Sequence, residues 1–224
     1  GAYEVFVADA GRIPATLHEI GRLREITYCA IGEGTGRQLD LDEFDEHYVH
    51  LFAWDRVPKQ IVGAYRIGRT DRILATRGIA GLYTRTLFRY DERLIERLAP
   101  ALELGRSFVR AEYQKNYNAL LLLWKGIGQF VARNPHYRVL FGPVSISARY
   151  RDSSHALLMT FLQQNRLDVD LAKLVEAMHP RVANAAPATV ASASIEDVDR
   201  LIAGAEVDGK GVPILLRQYL KLNA

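Results

Sequence analysis

The sequence predicts an α/β layered domain built on a mixed sheet, and three observations carry that expectation. Segments of period-2 and of helical hydrophobicity alternate in the order β-α-β-β-α-β-α-β-α before a helical tail. A run containing Leu120–Leu123, Trp124, Ile127 and Phe130 is apolar over most of a helix circumference, as a helix lying on a sheet must be. At 224 residues, 49% of them hydrophobic, the chain can bury a sizeable core.

Tyr3 to Ala8 alternates and is rich in β-formers, a first strand. Pro14 then opens a helix in which Leu17, Ile20, Leu23 and Thr27 recur at helical spacing as far as about Ala30. Gly32, Gly34 and Gly36 end it. The stretch Gly32-Glu-Gly-Thr-Gly36 follows a helix rather than a strand and lacks a Gly-Lys-Ser/Thr ending, so it reads as a flexible loop and not a phosphate cradle. Tyr48–Asp55 and Gln60–Arg69 form a hairpin. Thr84 to Leu98 reads as one amphipathic helix stopped by Pro100. A strand over Ala101–Val109, a polar loop, a helix capped by Asn118 and running through Ala132, and a strand over Arg138–Ser147 follow. Next come a helix over Ser153–Gln164 capped by Asp152 or Ser153, a short helix within Asp168–Met178, and a loop over 183–194. Ser194 caps a last pair of helical segments, 195–204 and 213–222. The core is drawn as residues 1–165 and a helical extension packed on it as 166–224, one domain overall.

Net charge is +3, from 29 Lys and Arg against 26 Asp and Glu. That balance suits an acidic partner or a phosphate-bearing ligand and is far from a nucleic-acid-binding tail. Cys29 is the single cysteine, so no disulfide forms within the chain and a reducing, cytoplasmic compartment is expected. It reads as a small buried or half-buried residue. No apolar run approaches the ~20 residues of a membrane span. No metal is expected. Counted from Asp40, a calcium loop would find Phe44 at its fifth position and Leu51 at its twelfth, and His47 and His50 lack further ligands.

The chemistry concentrates in Ala101–Val109, where Glu103, Gly105 and Arg106 interrupt an apolar strand. A buried charge must be paired or hydrated. Taken alone, these residues read most simply as a salt bridge to a neighbouring strand. In a flat strand Glu103 and Arg106 point to opposite faces; a bulge near Gly105 turns both toward one cleft and frees backbone groups for a ligand. Arg110 and Lys115 precede a helix N-terminus, a place that favours an anionic phosphate.

The order Arg24…Asp42-Glu-Phe-Asp45…Gly63-Ala-Tyr-Arg66…Glu103-Leu-Gly-Arg106-Ser-Phe108 resembles the acyl-homoserine-lactone synthases over roughly residues 15–150. Gly142-Pro-Val-Ser-Ile-Ser147 and Gly211-Val-Pro-Ile-Leu-Leu-Arg-Gln-Tyr-Leu220 are closer to the ornithine-lipid acyltransferase and hemolysin-labelled branch of the same GNAT-related superfamily. The resemblance implies a GNAT-like, mostly antiparallel central sheet flanked by helices, with a helical C-terminal extension. It implies an N-acyltransferase with no permanently bound cofactor, moving a long-chain or 3-hydroxy acyl group from an acyl-phosphopantetheine thioester to a small amine acceptor. In this branch the unit is often fused to a lipid acyltransferase domain, which brings peripheral membrane contact. The alternative is a non-catalytic module that binds an acyl group or carrier protein beside such a domain.

The glycine-rich CoA-binding loop of acetyl-transferring members is replaced here by Arg110-Ala-Glu-Tyr-Gln-Lys-Asn-Tyr117. That leans the donor toward acyl carrier protein, which presents one phosphate rather than a pyrophosphate, over CoA. The expected roles follow. Glu103 is the general base, Arg106 orients the thioester, and His50 is a second base candidate. Arg24, Tyr28, Asp42, Asp45, Arg66, Ser107 and Phe108 bind substrate. Val109, Arg110, Lys115, Asn118, Ser145 and Ser147 bind the donor.

Overall fold

The computed structural model of the chain describes residues 2–114, 117–180 and 193–222, which form two compact units, Gly1–Pro143 and Val144–Ala224. In the first unit, β1 (Tyr3–Asp9) leads through a 3-10 turn into α1 (Pro14–Ala30). β2 (Val49–Asp55) and β3 (Gln60–Arg69) form the expected hairpin. Then come α2 (Thr70–Arg77), β4 (Phe88–Tyr90), α3 (Glu92–Leu98), β5 (Ala101–Val109), α4 (Ala111–Gln114), α5 (Tyr117–Arg133) and β6 (Val139–Phe141).

One five-stranded sheet runs β1-β2-β3-β5-β6. Its first three pairings are antiparallel, and β5 with β6 is parallel. The mixed, mostly antiparallel sheet is therefore the one expected. A helix covers each face. Ile20 and Leu23 of α1 pack on Phe52, Ile61, Ala64 and Phe108. On the other face α5 buries Leu123 and Ile127, and Trp124 meets Tyr65 edge-on at 6.2 Å between ring centres. Each fully buried side chain of this size is worth about 1.5–3 kcal/mol, so this double layer carries the unit. Gly63 lets β3 approach β5: a Cβ there would press into the Phe108 carbonyl.

Several expected elements change. Thr84–Leu98 is not one helix but a 3-10 turn at Tyr83–Thr86, then β4, then α3 capped by Asp91, whose carboxylate accepts the Arg93 N–H at 3.0 Å. α2 was not anticipated. Asn118 lies inside α5 rather than capping it. The strand expected over Arg138–Ser147 stops at Phe141, where Pro143 lacks the N–H a ladder needs and Gly142 lies against the Leu104 carbonyl.

The second unit holds α6 (Asp152–Asn165), α7 (Val169–Ala172), β7 (Val175–Ala177), α8 (Ile195–Ala205) and α9 (Ile214–Lys221). Its core joins Leu158 and Phe161 of α6 to Val198 and Ile202 of α8 and Leu216 and Leu220 of α9. The apolar face of α9 is thus spent on packing. Ser194 caps α8 as expected, in a reciprocal box with Asp197. α6 follows Arg151 with no side-chain cap. Only Val169–Ala172 of the short helix expected within Asp168–Met178 forms; Val175–Ala177 is strand. α6, counted with the core from sequence, clusters with this unit. Of the loop expected at 183–194, residues 183–192 lie outside the described residues. Among the described residues, no helix is long and apolar enough to cross a membrane.

Candidate active site

The site is built where β5 breaks its ladder with β3. Ala64 pairs with Phe108 and Arg66 with Gly105, so the single residue Tyr65 faces two residues, Arg106 and Ser107. This is a β-bulge, one residue past Gly105. Arg106 adopts a left-handed backbone with φ 48°, which costs a non-glycine residue roughly 1–2 kcal/mol. The bulge resets the alternation of β5. Glu103 and Gly105 stand on the α1 side of the sheet, where Gly105 is in register with Arg66 and Arg66 with His50, and the Arg106 guanidinium joins them.

Asp42 and Asp45 reach that place through a 3-10 turn at Glu43–Glu46. The Asp42 carboxylate accepts the Phe44 N–H at 3.0 Å, and the Asp45 carboxylate accepts the Asp42 N–H at 2.9 Å. The reciprocal cap fixes two carboxylates three residues apart, facing inward.

Around them lies a ladder of charges. Arg24, fully buried on α1, donates to Asp45 at 2.7 Å. Asp45 also faces Arg66 at 3.2 Å, and Arg66 in turn pairs with Asp42. Arg106 approaches Asp42 at 3.4 Å and Asp40 at 3.6 Å. Burial pushes the Asp45 carboxyl up, but the guanidiniums of Arg24 and Arg66 outweigh it and hold the group below the usual aspartate value. Burial pushes Asp40 upward, with Arg106 and Arg24 opposing. Tyr28 donates its hydroxyl to the Ser107 carbonyl at 2.9 Å, tying α1 to the bulge.

Glu103 is buried beneath this layer. Its carboxylate accepts the Thr84 N–H at 2.6 Å, the Tyr83 N–H at 3.2 Å and the Tyr48 hydroxyl. It therefore organises the Tyr83–Thr86 turn. Burial, then the Glu103 charge, push the Tyr48 phenol far above its ordinary value, so the hydroxyl keeps its proton. The Tyr83 ring lies 4.9 Å from the guanidiniums of both Arg66 and Arg106. Tyr48, Tyr83 and Asp40 were missed from sequence. Tyr48 directly precedes the hairpin and Asp40 sits in the acidic run, but no motif marks Tyr83.

His50 is fully buried with Nε2 held 2.9 Å from the Asp45 carbonyl, and burial lowers its pKa. A neutral imidazole held in this way braces the turn. Phe108 packs in the α1 cluster, so it shapes the sheet rather than an open surface.

The expected donor residues come from β5, the turn after it, α5 and the second unit. The Val109 carbonyl accepts from Gln114 at 2.8 Å, and Arg110 pairs with Glu112 at 2.8 Å and with Gln60 at 3.1 Å. Asn118 lines an apolar groove with Tyr3, Tyr113, Ala119, Leu121, Leu122 and Lys125. Ser145 and Ser147 belong to the second unit, and Lys115 lies outside the described residues.

The glycine loop is not the free segment expected. Glu25 of α1 accepts the Thr35 hydroxyl at 2.7 Å, the Thr35 N–H at 3.0 Å and the Gly36 N–H at 2.7 Å. Cys29, exposed rather than buried, donates its thiol to the same carboxylate at 3.1 Å. Hydrogen bonds from Thr35 and Cys29 lower Glu25 to about 2. Because this lies below the ordinary 4.5, the latch is complete above about pH 4.5 and is lost as pH falls toward 2. The amide resonances of Thr35 and Gly36 are expected to move through that window in the wild type, and to show no such titration in Glu25→Gln.

Comparison with known proteins agrees with this architecture. The family described as acetyltransferase (GNAT) domain matches residues 23–125, from α1 into α5. A glycine N(alpha)-acyltransferase of Bacteroides thetaiotaomicron is 31% identical over 236 residues, covering 98% of this chain and 69% of that protein. A glycine N(alpha)-acyltransferase of Phocaeicola vulgatus is 34% identical over 188 residues, covering 79% of this chain but only 57% of its own length. Among solved structures, an aminoglycoside acetyltransferase from an uncultured soil metagenomic sample matches 83% of this chain and 100% of its own at 11% identity and a TM-score of 0.38, too loose to bear on the site. By its family match and by its identity to an N-acyltransferase across nearly its whole length, the chain belongs to the GNAT acyltransferases.

Proposed function

We propose that the chain acylates the amino group of a small amino acid, glycine as in its relatives' names, with a long-chain or 3-hydroxy acyl group from a phosphopantetheine thioester. The observation that carries this reading is the bulge at Arg106–Ser107, which gathers Glu103, Arg106 and the Asp42 carboxylate on one face of the sheet. The neutral amine attacks the thioester carbonyl. The C–N bond forms, the C–S bond breaks, and the thiol leaves. The amine's proton passes to Glu103 and on to the departing sulfur, which leaves as the thiol. Glu103 is enclosed, so the transfer runs through a water rather than by direct contact. Backbone groups released by the bulge orient the thioester and meet the developing oxyanion.

The donor's extended arm has a place to lie. β6 pairs with β5 only as far as Glu103, so among the described residues β5 from Gly105 to Val109 has no β6 partner on that side. Acyl carrier protein is the favoured donor over CoA: the loop after β5 lacks glycines, and the net charge of +3 attracts an acidic carrier. The test is release of free thiol from an acyl carrier protein thioester and from the matching acyl-CoA, each with and without glycine. Glycine-dependent thiol release with an N-acylglycine product is the expected result. Tight donor binding without release would favour the binding-module reading, and release without amide would make the chain a thioesterase.

A further inference from the structure

The acceptor end of the site has a feature that amine chemistry alone does not require. Of the three arginines in the charge ladder, only Arg106 reaches solvent, with 22% of its side chain exposed against 0% for Arg24 and 1% for Arg66. Of the aspartates, only Asp42 does, at 25% against 2% for Asp40 and 3% for Asp45. The two exposed members are opposite in sign and adjacent, and they hold each other loosely. Arg106 lies 3.4 Å from Asp42 and 3.6 Å from Asp40, whereas the buried Arg24–Asp45 pair closes to 2.7 Å. The Arg106 Nε has no hydrogen-bond partner among the described residues. The guanidinium is nonetheless fixed in place by the left-handed bulge beneath it and the Tyr83 ring beside it.

We infer that Asp42 and Arg106 form a cradle for a zwitterion, so that the acceptor is read as a free α-amino acid and not as an amine in general. The acceptor's carboxylate meets the guanidinium edge of Arg106 in a charge-assisted, two-point contact. Its ammonium meets the outward oxygen of Asp42, the one that otherwise touches only Arg106. Binding exchanges a loose internal ion pair for two closer ones and leaves no charge unpaired. A site that selected only for cations would need no arginine at its mouth, yet Arg106 stands there beside Asp40 and Asp42. The inference rests on the acylation proposed above and adds the residue that recognises the acceptor's acid group.

The test titrates glycine, glycinamide and ethylamine into the full chain by calorimetry, with turnover from an acyl thioester followed in parallel. Wild type is expected to bind glycine roughly 10- to 100-fold more tightly than glycinamide, as charged hydrogen bonds of this kind allow. Arg106→Gln should bring glycine down to the glycinamide level, and Arg106→Lys should recover part of the preference. Equal affinity for glycine and glycinamide in the wild type, or no saturable glycine binding, overturns the cradle. Selective glycine binding without acylation would leave the cradle standing and sink the acylation reading.

Discussion

Glu103→Gln is expected to lower the turnover of acyl transfer by about 10²- to 10⁴-fold, the range removed with a general base. The side chain it changes is also a brace, so the substitution has a structural cost that must be separated from the chemical one. In Gln, the oxygen can keep the Thr84 N–H, and the Tyr48 hydroxyl can rotate to accept from the new amide. The Tyr83 N–H keeps its 2.9 Å bond to the Tyr48 hydroxyl oxygen, but the Tyr48 proton loses the carboxylate that accepted it. One orphaned buried O–H costs about 1–3 kcal/mol, which a domain of ordinary stability survives. The expected variant is therefore folded, with a lower melting temperature, still able to bind donor thioester, and unable to transfer. Tyr48→Phe supplies the control, since it removes a brace to the same carboxylate but leaves the base in place. It should lose stability while retaining turnover within about tenfold. Undiminished turnover in Glu103→Gln, assayed well below its melting point, would refute the base assignment and leave Glu103 as a turn-forming residue.

The bracing role of Glu103 explains part of what could and could not be read from the residues in order. The bulge was legible as one of two readings, because Glu-Leu-Gly-Arg places a glycine between two charges in an apolar strand and only a bulge turns both charges to one face. The pairing of Asp42 and Asp45 with arginines was legible only through resemblance. Their spacing of three serves a 3-10 turn, and nothing local says that the turn faces a sheet. Thr84–Leu98 misled because its apolar spacing fits a helix. A buried carboxylate on a distant strand takes the Tyr83 and Thr84 amides for itself, and Asp91 restarts the helix seven residues later. Tyr83 carries no pattern at all. Its importance arises from sitting between two guanidiniums supplied by β3 and β5, a tertiary fact. The strand expected to reach Ser147 failed for a visible reason, Pro143, outvoted by the alternation of Val-Ser-Ile-Ser after it.

Asp45→Ala is expected to cost about 3–5 kcal/mol, the loss that follows when one partner of a buried ion pair is removed, and so to take a third or more of a typical domain's stability. Asp45 is the residue on which two buried arginines converge. Without it, the hydrogen-bond and ion-pair partners left among the described residues are the Asp40 carbonyl at 3.4 Å for Arg24 and Asp42 for Arg66. The Asp42 N–H also loses its acceptor, so the 3-10 turn that presents Asp42 to the site loosens with it. Asp45→Asn keeps the shape and should cost less in urea unfolding, because the amide oxygen can still accept from Arg24. Its signature lies in the pH dependence. The folded-state value of Asp45 is held below the ordinary 3.8, so this carboxylate contributes fully above that pH and its contribution is lost as the pH falls through the lowered value. Wild type should therefore shed stability on the acid side more steeply than Asp45→Asn, and the two curves should converge at low pH. Pairing Asp45→Leu with Arg24→Met should recover a large part of the Ala loss, since an apolar pair can replace a buried ion pair at little cost. Arg66 would still be short of one partner, so recovery should be incomplete. Full recovery in the double variant would mean that the ladder is two independent pairs, whereas a shortfall that vanishes on adding Arg66→Met would identify the three side chains as one unit.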